Sequence, residues 1–108
     1  MPTFTLNTDD LQWQEAEGYA AGAMQKVLSD GVDAVPRTIL LKLPPGWSMD
    51  SHSHLYTEEH FVIEGEYRSL GSSYPRGSYR VVEGRRSHGP HTTKTGAVLL
   101  VVFCDVHG

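Results

Sequence analysis

Short apolar runs separated by turn-forming residues are the feature of this sequence that most restricts its fold. Gly, Pro, Asp and Ser residues end most of these runs, and Glu64-Gly65 separates two of them. Runs of about four to eight residues bounded in this way are typical of strands. Many short strands with turns between them predict an all-β antiparallel sandwich or barrel. The candidate strands are Ala23–Leu28, Arg37–Leu43, His52–Leu55, Glu58–Ile63, Glu66–Leu70, Ser78–Val82 and Ala97–Cys104.

The length of the chain favours a single domain. Division of its 108 residues into two folded units would leave each with too little core. We expect residues 1–108 to form one domain, in which residues 1–36 supply an N-terminal arm and the first strands and residues 37–106 form the barrel. The candidate helix, Asp9–Glu17, would contain a turn or two behind an aspartate cap.

Composition and charge exclude several classes of protein. Hydrophobic residues make up 39% and charged residues 20% of the chain, which is the balance of a globular and not a disordered protein. The formal net charge is −4, and the nine Lys and Arg residues are scattered except for Arg85-Arg86. Because no basic stripe could follow a phosphate backbone, we expect no nucleic-acid partner.

The sequence predicts a cytoplasmic protein that does not enter a membrane. Cys104 is the only cysteine, so no intrachain disulfide can form, and a reducing compartment fits best. The N-terminal residues lack the basic and apolar regions of a signal peptide. The longest apolar run, Ala97–Cys104, is too short to cross a bilayer.

The segment around His52 carries the most specific chemistry. Side chains alternate faces along a strand, so His52 and His54 project from the same side and can converge on one ion. Glu58 follows at the start of the next apolar strand, where its carboxylate could point into the same interior. Imidazole suits Zn, Fe, Ni and Cu, and a carboxylate adds an oxygen ligand and negative charge. These residues indicate a site for one divalent metal ion.

This segment resembles the first motif of the cupin family, G-x5-H-x-H-x3-E-x6-G. Its fixed positions are filled by Gly46, His52, His54, Glu58 and Gly65. We therefore identify the chain as similar to the cupins.

The second cupin motif, G-x5-P-x-G-x2-H-x3-N, aligns from Gly77 and places its histidine on His88. The turn before this histidine differs, because Glu83 and Arg85 stand where Pro and Gly are usual, and Thr92 replaces the final Asn. His91, three residues after His88, is a competing candidate ligand.

The stretch from Tyr74 onward resembles the cupin domain of ChrR-type zinc anti-sigma factors. The resemblance implies a double-stranded β-helix, that is, a jelly-roll barrel, with a metal ion inside and a small-molecule pocket at one end. It also implies a homodimer. The ligands that it implies are His52, His54, Glu58 and His88.

His60 is the candidate catalytic residue, because alternation places it on the same face as Glu58. It could carry a proton, add a metal ligand, or be a hydrogen-bonded inner histidine.

Glu59 faces the other way and is the first substitute if Glu58 is not a ligand. Cys104 is expected to be a buried packing residue. Arg85-Arg86 could clamp an anion or be exposed turn charges. Alternation does not assign a face to Arg37, Tyr56, Tyr67, Arg68 or Arg80.

A metal ion held by three imidazoles and one carboxylate would keep positions for a small-molecule substrate. With Fe(II), the predicted function is a dioxygenase that acts on a dicarbonyl, enol or aromatic compound. With Zn, Mn or Ni as a Lewis acid, the alternatives are an isomerase, a lyase or a hydrolase. A further alternative is a zinc-binding ligand-sensing module. The ligand types do not choose among Fe, Zn, Mn and Ni.

Overall fold

The described part of the chain folds as a curled antiparallel β-sheet with almost no helix. A computed structural model describes residues 3–32, 35–51, 56–85, 87 and 89–104. Nine strands lie within these residues, so the all-β prediction is confirmed. They are β1 (Gln14–Glu15), β2 (Met24–Asp30), β3 (Arg37–Leu43), β4 (Ser48–Met49), β5 (Thr57–Ser69), β6 (Ser72–Pro75), β7 (Tyr79–Val82), β8 (His91–Thr92) and β9 (Ala97–Cys104).

The strands form one sheet with the order β1-β2-β3-β9-β5-β8-β4, and every pairing is antiparallel. β6 and β7 also pair with β5. The long strand β5 is therefore bonded to β6, β7, β8 and β9 along its length. This position makes β5 the strand through which residues distant in sequence are brought together.

The longest apolar runs predicted their strands best. The bounds of β3 and β9 agree with the sequence prediction, and those of β2 and β7 differ by one or two residues. The strands β1, β4, β6 and β8 have only two to four residues, which is too few for alternation to be visible in the sequence. The candidate strand His52–Leu55 lies outside the described residues.

The predicted helix over Asp9–Glu17 is wrong. Only a 3₁₀ turn at Thr8–Asp10 forms, capped by Asn7, whose Oδ1 accepts a hydrogen bond from the Asp9 N–H at 2.9 Å. Gln14 and Glu15 pair with β2 instead, so the sheet satisfies their backbone groups. Across the described ranges, no helix is long and apolar enough to cross a membrane.

The predicted turn at Glu64-Gly65 is also wrong, because β5 continues through it. The pairing with β9 shifts by one residue between Val62 and Glu64, and Gly65 has a φ of 72°. One extra residue reverses the alternation of side chains along the rest of a strand. His60 is buried before the shift, and Tyr67, an odd number of residues later, is buried after it.

The core lies on the inner face of the sheet. Ile39, Leu41 and Leu43 alternate along β3 and pack with Leu99 and Val101 of β9. Full burial of such a side chain contributes about 1.5–3 kcal/mol relative to exposure. This cluster is the main source of hydrophobic stabilisation, and it also forms part of the wall of the candidate site.

Candidate functional site

A pocket that opens to solvent lies on the inner face of the sheet, and its empty space, open solvent included, is about 360 Å³. Its apolar and aromatic wall consists of Tyr19, Leu41, Leu43, Trp47, Met49 and Leu99. Its polar lining consists of Glu58, His60, Tyr67 and His91. An apolar cavity with a few convergent polar groups is the usual form of a small-molecule site.

Glu58 and His60 lie two residues apart on β5, and both side chains face the cavity. Glu58 is only 1% exposed, and its Oε1 lies 2.8 Å from His60 Nε2. Burial of a carboxylate without partners is costly, so an anion at this depth requires hydrogen bonds or an opposite charge. The His60 ring supplies one such hydrogen bond.

Tyr67 and Arg80 extend this contact into a chain of hydrogen bonds. The Tyr67 hydroxyl lies 2.9 Å from His60 Nδ1, and an Arg80 guanidinium N–H donates to the same hydroxyl at 3.0 Å. Both nitrogens of His60 are therefore engaged inside the protein. Of the roles considered for His60, the structure shows the hydrogen-bonded inner histidine, and its acid–base role stays a prediction.

The environment of Tyr67 keeps its hydroxyl protonated. Burial raises the pKa of Tyr67, and the hydrogen bond and positive charge of Arg80 oppose this effect without cancelling it. Tyr67 is only 2% exposed, which agrees with burial as the dominant cause. Its O–H is thus available to donate at neutral pH.

His91 reaches the cavity from β8. It is 6% exposed, and its ring centroid lies 6.0 Å from that of Tyr67. The pairing of β8 with Met49 on one side and Ser69 on the other holds this position. His91 is therefore part of the cavity lining, while its role as a metal ligand in place of His88 stays a prediction.

The predicted metal site is described only in part. His52, His54 and His88 lie outside the described residues. Among the residues that are described, no group of three or more His, Cys, Asp or Glu side chains is arranged to hold a metal ion. Glu58 nevertheless fits the predicted donor set, because it places a buried carboxylate at the polar end of the cavity. The complete ligand set stays a prediction.

The turn before His88 departs from the cupin motif in sequence, but the residue at the motif's glycine position still has a left-handed backbone conformation. Arg85, at the position where the motif has glycine, has a φ of 61° and is exposed. Beside it, a Cβ on Gly84 would lie 2.6 Å from the carbonyl carbon of Tyr56. The altered turn is therefore packed closely against the start of β5.

Tyr67 and Arg80 are the site residues that alternation alone did not assign. Arg68 and Tyr56 are exposed, and the Arg37 guanidinium lies 5.9 Å from the ring centroid of Phe103. The sequence signal that could have placed Tyr67 is Gly65, because a glycine inside a strand pattern often marks a bulge that changes the face of later side chains. The sequence prediction treated that glycine as a turn instead.

Glu59 lies on the outer face of β5, opposite to Glu58. The Tyr79 hydroxyl donates to Glu59 Oε1 at 2.5 Å, and the Cys104 thiol donates to Oε2 at 3.3 Å. These two hydrogen bonds hold the pKa of Glu59 below its usual range. Cys104 is half-buried, and burial first and Glu59 second raise the pKa of its thiol.

We expect Cys104 to react slowly with iodoacetamide at pH 8, because the thiolate is the nucleophile and the raised pKa keeps the thiol protonated. A Glu59→Gln variant removes the adjacent negative charge and should accelerate alkylation about two- to fivefold. The rate can be followed by intact mass. Glu64→Gln, which removes an exposed carboxylate elsewhere on β5, is the control and should leave the rate unchanged. Equal rates in all three proteins would contradict the Glu59 contact.

The sequence of residues 1–107 matches the ChrR cupin-like domain family. The chain therefore belongs to this family. No curated protein sequence matches this ChrR cupin-like chain at a significant level.

Solved structures share the fold of this ChrR cupin-like chain at low sequence identity. An acetylacetone dioxygenase from Acinetobacter johnsonii has a TM-score of 0.77 and 19% identity, with 95% of this chain and 74% of that chain covered. The polyketide cyclase RemF from Streptomyces resistomycificus has a TM-score of 0.80 and 15% identity, with 96% and 81% covered. A chain of the Rhodobacter sphaeroides SigE complex with the anti-sigma ChrR has a TM-score of 0.71 and 20% identity, with 91% and 52% covered. The predicted cupin fold is thus confirmed.

Proposed function

We propose that this chain is a metal-dependent cupin enzyme of the dioxygenase type that acts on a small dicarbonyl, enol or aromatic compound. The observation that carries the proposal is the Glu58 carboxylate, 1% exposed, at the polar end of an otherwise apolar cavity. A buried carboxylate that faces a cavity lined by imidazole rings is suited to a cation. Similarity to an acetylacetone dioxygenase of the same fold supports the substrate class.

His52, His54, Glu58 and His88 are the proposed ligands of one divalent ion. A bound ion of Fe, Zn, Mn or Ni would supply a Lewis acid, and Fe would in addition supply the redox chemistry that dioxygen requires. His60 is the proposed acid–base residue, because its ring lines the same cavity.

The wall of the cavity favours a compact, mostly apolar substrate. Leu41, Leu99 and Trp47 can bury its carbon skeleton and exclude water, while the polar end can receive its oxygen atoms. The described lining residues include no Lys or Arg, which favours a neutral dicarbonyl or enol over a strongly anionic compound. A small 1,3-dicarbonyl such as acetylacetone matches both requirements.

The first experiment is to purify the chain without chelator, determine its metal by elemental mass spectrometry, and follow oxygen uptake. Acetylacetone and a panel of enols and aromatic compounds would serve as substrates. Near-stoichiometric iron is expected, with oxygen uptake that stops on chelation and returns when Fe(II) is restored. A zinc-filled protein that turns over none of these compounds would contradict the dioxygenase proposal.

A zinc-binding ligand-sensing module is the second candidate, favoured by membership of the ChrR cupin-like domain family. Stoichiometric zinc with ligand binding but no turnover would support it. Turnover that does not require oxygen would instead support an isomerase, a lyase or a hydrolase. The homodimer and the cytoplasmic location stay predictions, and light scattering of the purified protein would test the first of these.

A further inference from the structure

We propose that Arg80 and Tyr67 are positioning residues that act through His60 to fix the orientation of the Glu58 carboxylate before a metal ion binds. The inference rests on the proposed function, in which Glu58 is a metal ligand. It assigns a role to two residues that line or adjoin the cavity without belonging to either cupin motif.

For a neutral His60 ring, the chemistry of the two end groups sets the direction of the hydrogen bonds. A guanidinium only donates, so the Tyr67 oxygen accepts from Arg80 at 3.0 Å. Tyr67 then has its own proton for His60 Nδ1 at 2.9 Å. With Nδ1 as an acceptor, the neutral imidazole carries its proton on Nε2, which donates to Glu58 Oε1 at 2.8 Å. This chain of hydrogen bonds begins at the Arg80 guanidinium, which can only donate, and ends at the Glu58 carboxylate, which can only accept.

The sheet holds Arg80 and Tyr67, the first two residues of this chain of hydrogen bonds, in place. Arg80 on β7 pairs directly with His60 on β5, and Tyr67 pairs with Tyr74 of β6. The Arg80 guanidinium also lies 4.3 Å from the centroid of the Tyr74 ring, which in turn is 5.3 Å from the Tyr67 ring. Both donors are thus anchored by strand pairing and by aromatic contacts as well as by their hydrogen bonds.

A carboxylate held in this way has already lost the rotational freedom that metal binding would otherwise remove. Outer hydrogen bonds to a ligand orient it and raise its affinity for the ion, and their loss typically weakens metal binding by about 10- to 100-fold. Removal of the Tyr67 hydroxyl should also remove the hydrogen bond between Tyr67 and His60 Nδ1. The His60 ring could then change tautomer or rotate, and Glu58 Oε1 would lose a fixed partner.

The test compares Tyr67→Phe with Tyr74→Phe in the full chain. Each variant deletes one hydroxyl from the same aromatic stack, but only Tyr67 belongs to the hydrogen-bond chain. Zinc affinity is measured by competition with a chromophoric chelator, and the His60 tautomer is read from ¹⁵N NMR of the metal-free protein. We expect Tyr67→Phe to weaken zinc binding about 10- to 100-fold and to change the His60 nitrogen shifts. Tyr74→Phe should bind zinc within about twofold of the unmodified chain.

A second variant, Arg80→Met, keeps the inference testable if Tyr67→Phe folds poorly. Arg80→Met alone removes the donor to the Tyr67 hydroxyl and should also weaken zinc binding and change the His60 nitrogen shifts. Because Arg80 and Tyr67 act in series, the double variant should bind zinc about as weakly as Tyr67→Phe alone. Unchanged affinity and unchanged His60 shifts in Tyr67→Phe would overturn the positioning role, provided that the unmodified chain binds zinc and Glu58→Ala does not. Absence of zinc binding by the unmodified chain would instead overturn the proposed metal site itself.

Discussion

A Gly65→Ala variant is expected to lose most of its stability, with a free energy of unfolding lower by more than about 4 kcal/mol. A Cβ at this position would lie 2.0 Å from the backbone oxygen of Gly96 and 3.0 Å from Ala97 Cα. These are backbone atoms of the turn that leads into β9, so no side-chain rotation can relieve the contact. The φ of 72° adds the cost of a left-handed conformation, about 1–2 kcal/mol for a residue with a Cβ.

Chemical denaturation of Gly65→Ala and Gly71→Ala would separate the two effects. Gly71 has a φ of 79°, but a Cβ there would have nothing within 4 Å. Gly71→Ala should therefore lose only about 1–2 kcal/mol, the cost of the left-handed conformation alone. Equal losses in the two variants would show that the contact with Gly96 is not what requires glycine at position 65. The comparison bears on the site, because Gly65 directly follows the register shift that turns Tyr67 inward.

A Glu58→Ala variant is expected to bind zinc or iron at least about 100-fold more weakly than the unmodified chain. Loss of an outer hydrogen bond to a ligand already costs about 10- to 100-fold, so loss of a ligand should cost more. The variant should remain folded, because the pairing of β5 with β7 and β9 involves backbone groups that the substitution leaves in place. Metal content after dialysis and competition with a chelator would measure the effect.

Glu59→Ala is the matched control for this experiment. Glu59 is the next carboxylate on β5, but it faces outward and bonds to Tyr79 and Cys104. Its removal should leave metal affinity within about twofold of the original value. Loss of metal in Glu59→Ala with retention in Glu58→Ala would reverse the assignment of the carboxylate ligand, which the sequence kept open.

Much of the strand pattern could be read directly from the sequence. The continuous apolar runs Arg37–Leu43 and Ala97–Cys104 are strands with the predicted bounds. A run of this kind can be recognised as a strand without knowledge of the strands that it pairs with. Alternation also placed Glu58 and His60 on one face, and both are buried there. The short helix at Asp9–Glu17 was predicted wrongly, because pairing with β2 satisfies the same backbone groups.

The sequence by itself thus determined the strands whose patterns are local, the cupin motif from Gly46 to Gly65, and the inward direction of Glu58 and His60. Only the tertiary structure decided that β5 runs through Gly65, that Tyr67 and His91 line the same cavity, and that Arg80 donates to Tyr67. The physical reason is the register shift against β9. One unpaired residue between Val62 and Glu64 reverses the faces of the later side chains of β5, and the strand that defines this shift, β9, is distant in sequence.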